Sequence, residues 1–199
     1  MTEEKTPTPN KKKTSLLPLI ALNIALLGVM GFVVHYVYTA APLQLRNITA
    51  IQIGQTLPAF GMARYDVPDG SEESFGLETL DTAGGKLAVI NIFASWCKPC
   101  EAEHPYIKSL GTDYGLPVYG IALKDEPADI KAFLDRLGNP YRAIGLDYAG
   151  LMLSGLGLAG VPTTIIIDKD YKVLFLQQGP VSARTIDEHI APLLARVSQ

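Results

Sequence analysis

Cysteine is scarce in this chain: there are two among 199 residues. Two thiols cannot staple a small scaffold together, so the fold has to rest on an apolar core. There is no surplus of positive charge either. Seventeen Lys and Arg face twenty Asp and Glu, a formal net charge of −3, which leaves no basic face for nucleic acid. Histidine occurs three times. A structural zinc site takes four ligands, and His104 adds only a third to the two cysteines. His35 lies in a long apolar run and His189 near the C-terminus, so neither completes the set. No internal repeat is present.

What the sequence does have is one long hydrophobic segment. Leu16 to Val34, LLPLIALNIALLGVMGFVV, contains no charge, and the apolar character continues to Tyr38. Residues 16–38 as a helix would measure roughly 34 Å at about 1.5 Å per residue, enough for a bilayer core of about 30 Å. A secretory signal usually has an apolar stretch of about 7–15 residues, so an uncleaved anchor is expected, although Tyr38 to Ala41 offers a weak cleavage site. Lys5 and Lys11–Lys13 precede the segment and no Lys or Arg follows before Arg46. This asymmetry places the N-terminus in the cytoplasm and the remainder outside. The expected organisation is a cytoplasmic tail (1–15), a transmembrane anchor (16–38), a linker (39–55) and a folded domain (56–199).

Within that domain Leu87 to Phe93 reads as a buried central strand, followed by a helix from Glu101 to Leu110 and a second buried strand from Leu116 to Leu123. Pro127 to Leu137 opens on proline, carries Ile130, Phe133, Leu134 and Leu137 on one face, and stops at Gly138, which predicts an amphipathic helix. Tyr141 to Leu146 is a weaker strand and Ala149 to Gly155 a short helix. Thr164–Ile167 and Lys172–Gln177 predict a hairpin, and Ser182 to Val197 a closing helix kinked at Pro192. Tyr65 to Gly85 suits a hairpin or edge structure. The whole predicts an α/β domain with helices flanking a mixed sheet.

Both cysteines fall in FASWCKPCEAEHP, directly after a buried strand and directly before a helix. Cys97 therefore sits at a helix N-terminus, where unpaired N–H groups and the helix dipole favour a thiolate. The thiolate is the reactive form, which makes Cys97 the nucleophile. Cys100, one turn later, is placed to resolve a mixed disulfide. Pro99 suits the first turn, and Trp96 is expected to shield the sulfur. A structural disulfide across so short a loop adds little stability. Covalent haem attachment needs C-x-x-C-H, and Glu101 occupies the histidine position. A peroxidatic P-x-x-x-T-x-x-C pattern also fails at Ile90 and Ala94. A thiol–disulfide couple is left. Downstream, Gly160-Val161-Pro162-Thr163-Thr164 enters an apolar strand, and Pro162 is a candidate for a cis peptide bond.

FASWCKPCEAEHP followed by GVPTTIIID, with LPVYGIALKDEP, LGNPY and the IAPLL ending, resembles the membrane-tethered thioredoxin-like proteins of cytochrome c maturation called CcmG or DsbE. The resemblance runs from about Thr56 onward. It implies a thioredoxin-like fold, a cis-Pro162 facing Cys97 and Cys100, and an extra strand–helix insertion within residues 139–158. It implies Trp96, Val161 and Thr163 as residues around the bound substrate. It further implies a reductant in the periplasm, at the inner membrane. A membrane thiol transporter of the DsbD or CcdA type would supply its electrons; apocytochrome c or a CcmH-type thiol chaperone would receive them. No cofactor beyond the Cys97–Cys100 disulfide and no metal is expected. Thr163, where the family often carries an acid, is closer to the related TlpA and ResA reductants.

Thioredoxin carries a buried acid six residues before its first cysteine; here that position is Asn91. Glu103, three residues past Cys100, points to the same helix face. It either exchanges a proton with Cys100 in place of the missing acid, or is a solvated carboxylate paired with Lys98 or Lys108. His104 reads as packing or solvated. Asp125 and Glu126 either lie near the thiols, as the resemblance implies, or cap the helix opening at Pro127.

Overall fold

The computed structural model of the chain describes residues 17–40, 50–66, 73–82 and 87–197. The expected tail with its lysines and most of the linker, residues 41–49, lie outside the described residues, as do parts of the segment 65–85. The chain divides into two compact units, Met1–Asn47 and Ile48–Gln199. In the first, α1 (Leu17–Ala40) is one helix of 24 residues. Side chains are described without a break only from residue 20 to residue 36, and among the described residues no helix is long and apolar enough to cross a membrane. The case for an anchor therefore rests on the sequence.

The second unit is built on a seven-stranded mixed sheet in the order β2-β1-β5-β4-β3-β6-β7. Its strands are β1 (Gly61–Arg64), β2 (Ser74–Gly76), β3 (Ala88–Phe93), β4 (Val118–Leu123), β5 (Ile144–Asp147), β6 (Thr163–Ile167) and β7 (Val173–Gln178). The helices are α2 (Lys98–Thr112), α3 (Pro127–Leu137), α4 (Leu151–Gly155), α5 (Ala183–Thr185) and α6 (Ala191–Val197). Strands β3, β4 and β5 run parallel, while β6 is antiparallel to β3, and β1 to β5. All six residues of β3 and of β4 are buried, because α2 and α3 cover one face while α4 and the segment holding Ile51, Leu57 and Leu80 cover the other.

The alternation of each strand assigns its side chains to two cores. Val89 and Phe93 join Ile107, Leu110, Ile130, Phe133 and Ile190 on the α2 and α3 face. Ala88, Ile90 and Ile92 join Tyr119, Ile121, Met152, Leu156 and Ile165 on the other. Burying each large apolar side chain contributes roughly 1.5–3 kcal/mol. Helix α3 has the predicted bounds and ends where Gly138 adopts φ +87, a conformation that favours glycine. Strand β5 and helix α4 fall within residues 139–158, where the strand–helix insertion is expected. The Asp147 carboxylate accepts from the N–H groups of Leu151, Met152 and Leu153 at 2.8, 3.1 and 3.2 Å, which caps the short α4.

Three expectations need correction. Helix α2 starts at Lys98 rather than Glu101, since Pro99 is tolerated in a first turn. The closing helix is not uniform. Ser182 is its N-cap, and Ile186–Ile190 winds as a π-helix that ends two positions before Pro192. Proline has no N–H to give and crowds the preceding turn, and a wider turn relieves both. The folded unit also begins before residue 56: Ile51 is buried and its N–H reaches the Leu156 carbonyl at 2.8 Å.

Candidate active site

Strand β3 delivers the chain to Ala94, and the Cys97 N–H bonds back to the Ala94 carbonyl at 3.2 Å. Cys97 is the N-cap of α2, with an extended backbone. Its Sγ accepts the Cys100 N–H at 3.2 Å, the place an oxygen of Ser, Thr or Asp usually fills. A sulfur there meets the positive end of the helix dipole and an N–H that stabilises a thiolate. The two cysteines are joined in a disulfide, with Cα atoms 5.2 Å apart. Both are nearly inaccessible, while Lys98 and Pro99 between them are exposed.

The Val161–Pro162 peptide bond is cis. Ile92 pairs with Thr163 in the antiparallel β3–β6 register. Pro162 directly precedes Thr163, so it stands at the end of β6 that lies beside the C-terminal end of β3, from which the chain leads to Cys97. The Pro162 carbonyl accepts from the Gly179 N–H at 2.9 Å. Thr163 is buried and its hydroxyl donates to the Gly160 carbonyl at 2.7 Å. Its side chain thus shapes the turn and does not project from it, whereas Val161 stays half-buried. Trp96 is 59% exposed, and its indole N–H donates to the Lys124 carbonyl at 3.2 Å. The ring is thereby tied to the residue that follows β4 and left largely open to solvent.

Glu103 is not the solvated carboxylate of the plainer reading. It is buried beneath α2, with Oε1 accepting from Asn91 Nδ2 at 2.8 Å and Oε2 from the Val181 N–H at 2.7 Å. Lys98 pairs with Glu101, which also takes Arg136. Burial raises the Glu103 carboxyl from the ordinary value of 4.5 to about 7, against the opposing pull of its two N–H donors. A carboxyl titrating near neutral pH, three residues from Cys100 on one helix face, is suited to exchanging a proton with that thiol.

His104 is packing. It is buried, meets Phe133 edge-on and bonds through Nε2 to the Gly138 carbonyl at 2.8 Å. Burial lowers its pKa. Asp125 braces the loop that carries Cys97: its carboxylate accepts from the N–H and hydroxyl of Ser95 at 2.6 and 2.7 Å. Glu126 is the N-cap of α3 without a side-chain cap bond, and Asp125 Oδ1 also accepts the Glu126 N–H at 3.1 Å, so of the two acids it is Asp125 that holds the start of that helix. Among the described residues no cluster of His, Cys, Asp and Glu could hold a metal ion.

Two features were missed from sequence. One is the partner set of Asn91. Its Nδ2 also reaches Thr164 Oγ1 at 3.2 Å, and the Tyr141 hydroxyl donates to its Oδ1 at 2.8 Å. The available signal was a single amide within a strand that otherwise reads as wholly apolar. The other is an apolar groove of roughly 540 Å³ lined by Phe60, Met62, Leu146, Leu151 and Met152. It lies at the C-terminal end of β5, the same sheet edge as Cys97, and is assembled from elements far apart in the chain.

Residues 52–191 match the Redoxin family. The chain is 38% identical over 128 residues to the thiol:disulfide interchange protein HelX of Rhodobacter capsulatus, covering 64% of this chain and 71% of HelX. It is 38% identical over 112 residues to the thiol:disulfide interchange protein CycY of Rhizobium leguminosarum bv. viciae, 56% of this chain and 60% of CycY. With the thiol:disulfide interchange protein DsbE of Escherichia coli it shares 30% identity over 95% of this chain and 97% of the relative. Among solved structures, a candidate DsbE from Chlorobium tepidum superposes with a TM-score of 0.59 at 24% identity, covering 73% of this chain and 99% of that one. The last comparison supports a thioredoxin-like fold.

Proposed function

The chain belongs to the Redoxin family and, within it, to the DsbE-type thiol:disulfide interchange proteins, and from that premise we propose that it is a membrane-anchored reductant of disulfides in c-type cytochrome maturation. The observation that carries this reading is Cys97 at the mouth of α2, its sulfur bonded to the Cys100 N–H.

In the proposed cycle the Cys97 thiolate attacks one sulfur of a substrate disulfide beside Pro162. The other substrate sulfur leaves as a thiolate and takes a proton. The Glu103 carboxylate accepts the proton of the Cys100 thiol. Cys100 then attacks the Cys97 sulfur of the mixed disulfide; the second substrate sulfur leaves as a thiolate and takes up a proton, as Glu103 gives back the one it held. The substrate gains two electrons and two protons, and the Cys97–Cys100 bond is restored. A membrane thiol donor of the DsbD or CcdA type returns the pair to the dithiol, and apocytochrome c or a CcmH-type chaperone is the substrate. Thr163 next to Pro162 favours a second reading, a general TlpA- or ResA-like reductase. A non-catalytic holdase for apocytochrome is the third, and it would keep working with both cysteines changed to serine.

The proposed location is the inner membrane, with the N-terminus cytoplasmic and the folded unit periplasmic. It is supported by the charge-free run Leu16–Tyr38, the lysines before it, and the exposure of Leu22, Leu27, Phe32 and Val33 along α1. The full chain is expected to stay with membranes through alkaline carbonate extraction; recovery in the wash would remove the anchor from the account. For the chemistry, the reduced protein is mixed with an oxidised C-x-x-C-H peptide. The peptide is expected to emerge reduced, with a protein potential well below the roughly −120 mV of a strong oxidant. Oxidation of the reduced peptide by the disulfide form, with a potential near that value, would contradict it.

A further inference from the structure

We propose that Tyr141 is a positioning residue for Glu103: through the Asn91 carboxamide, its hydroxyl holds the carboxyl in place and favours the ionised form. The inference rests on the assignment of Glu103 as the group that exchanges a proton with Cys100.

The ring of Tyr141 is built into the core on the α2 face. It stacks on Phe93 with centroids 4.8 Å apart and planes 17° apart, and it meets His104 edge-on at 6.2 Å. Its own N–H bonds to Asn139 Oδ1 at 2.9 Å. Gly120 on β4 makes the room. A Cβ there would sit 3.1 Å from the Tyr141 ring and 2.9 Å from Phe93 Cε1. A glycine in the middle of a central strand weakens it, and here the ring fills the space it leaves.

A phenylalanine would fill the same space without burying a hydroxyl, which needs a hydrogen-bond partner once out of water. That partner is Asn91 Oδ1 at 2.8 Å. The orientation of the amide follows from its other end. An ionised carboxylate only accepts, so Nδ2 faces Glu103 Oε1, and its second hydrogen faces Thr164 Oγ1. The result is a directed chain, Tyr141 hydroxyl to Asn91 carbonyl, Asn91 amide to Glu103 carboxylate. Each bond in such a chain polarises the next in a medium of low dielectric, so the distant hydroxyl strengthens the donor that Glu103 receives.

The groups around Glu103 come from every element packed there. Cys100 and His104 lie on α2 itself, Asn91 on β3, Thr164 on β6, the Val181 N–H before α5, and Tyr141 after α3. His104 is committed to the Gly138 carbonyl, and the charges of Lys108 and Arg136 act on it. Tyr141 is held neutral by burial and by the Glu103 charge, so in this set its hydroxyl is a donor.

The experiment follows the release of a model thiol from a mixed disulfide on Cys97 as a function of pH, in the full chain. Wild type is expected to show a limb with a midpoint near the Glu103 value, absent in Glu103→Gln. Tyr141→Phe is expected to raise that midpoint by about one pH unit, which is roughly tenfold slower release below it, while the alkaline plateau is kept. In the Glu103→Gln background the same change should do nothing further. Tyr141→3-fluorotyrosine, which keeps the ring and strengthens the donor, should move the midpoint down. An infrared titration of the Glu103 carboxyl in the oxidised protein should follow the same order. An unmoved midpoint, or equal slowing at every pH and in both backgrounds, overturns the inference and leaves Tyr141 a packing residue. Persistence of the limb in Glu103→Gln would instead overturn the assignment of Glu103.

Discussion

Cys100→Ser, mixed in its reduced form with a disulfide substrate, accumulates a covalent adduct on Cys97, while Cys97→Ser accumulates none. Turnover falls on the order of a thousandfold or more in either variant, because the two thiols act as one unit. The asymmetry follows from their positions. Only Cys97 is the N-cap, with its sulfur receiving an N–H and facing the dipole of α2. Cys100 lies inside the first turn beneath the surface and meets the attacked sulfur only after the adduct forms. Mass spectrometry of the trapped species reads the outcome. Adducts confined to Cys100 would invert the assigned roles.

Glu103→Gln is expected to have the second largest effect, on both rate and stability. The folded protein holds this carboxyl proton up to about pH 7, whereas an ordinary carboxyl gives it up near 4.5. Between those values the native state binds a proton that the unfolded chain has lost. Linkage then makes stability fall as pH rises. The contribution is fully present below about 4.5 and is lost as pH climbs through about 7, a total of about 3 kcal/mol at roughly 1.4 kcal/mol per pH unit. Denaturant unfolding of the oxidised protein at pH 4.5 and pH 8 should show that drop, flattened in Glu103→Gln. Resolution of the mixed disulfide should lose its limb near pH 7 as well. Parallel pH profiles for the two proteins would show that Glu103 is not the titrating group.

Much of this site is legible in the chain because it is local. A buried strand, two thiols one helical turn apart and a proline in the second position together place Cys97 at a helix end, and the turn before Thr164 marks Pro162 as a cis candidate. The role of Glu103 is half legible: its spacing from Cys100 gives the helix face, but burial depends on β3, β6 and the Val181 loop closing over it. Nothing local says that Trp96 turns toward the Lys124 carbonyl, because that bond spans 28 positions. Tyr141 reads only as the start of a weak strand. Its hydroxyl finds Asn91 across 50 positions, and only the parallel β3–β4–β5 register brings them together. The π turn at Ile186–Ile190 is not legible for another reason, since Pro192 announces a disruption without fixing its form.

The exchange chemistry depends on one sulfur being more acidic than an ordinary thiol. The direct measurement is the rate of iodoacetamide alkylation of Cys97 in the reduced protein across pH. The predicted midpoint lies well below the value of about 8.5 of a free cysteine, with fast reaction at pH 7. A midpoint at that free value, with a rate matching the same thiol in a short peptide, would contradict it.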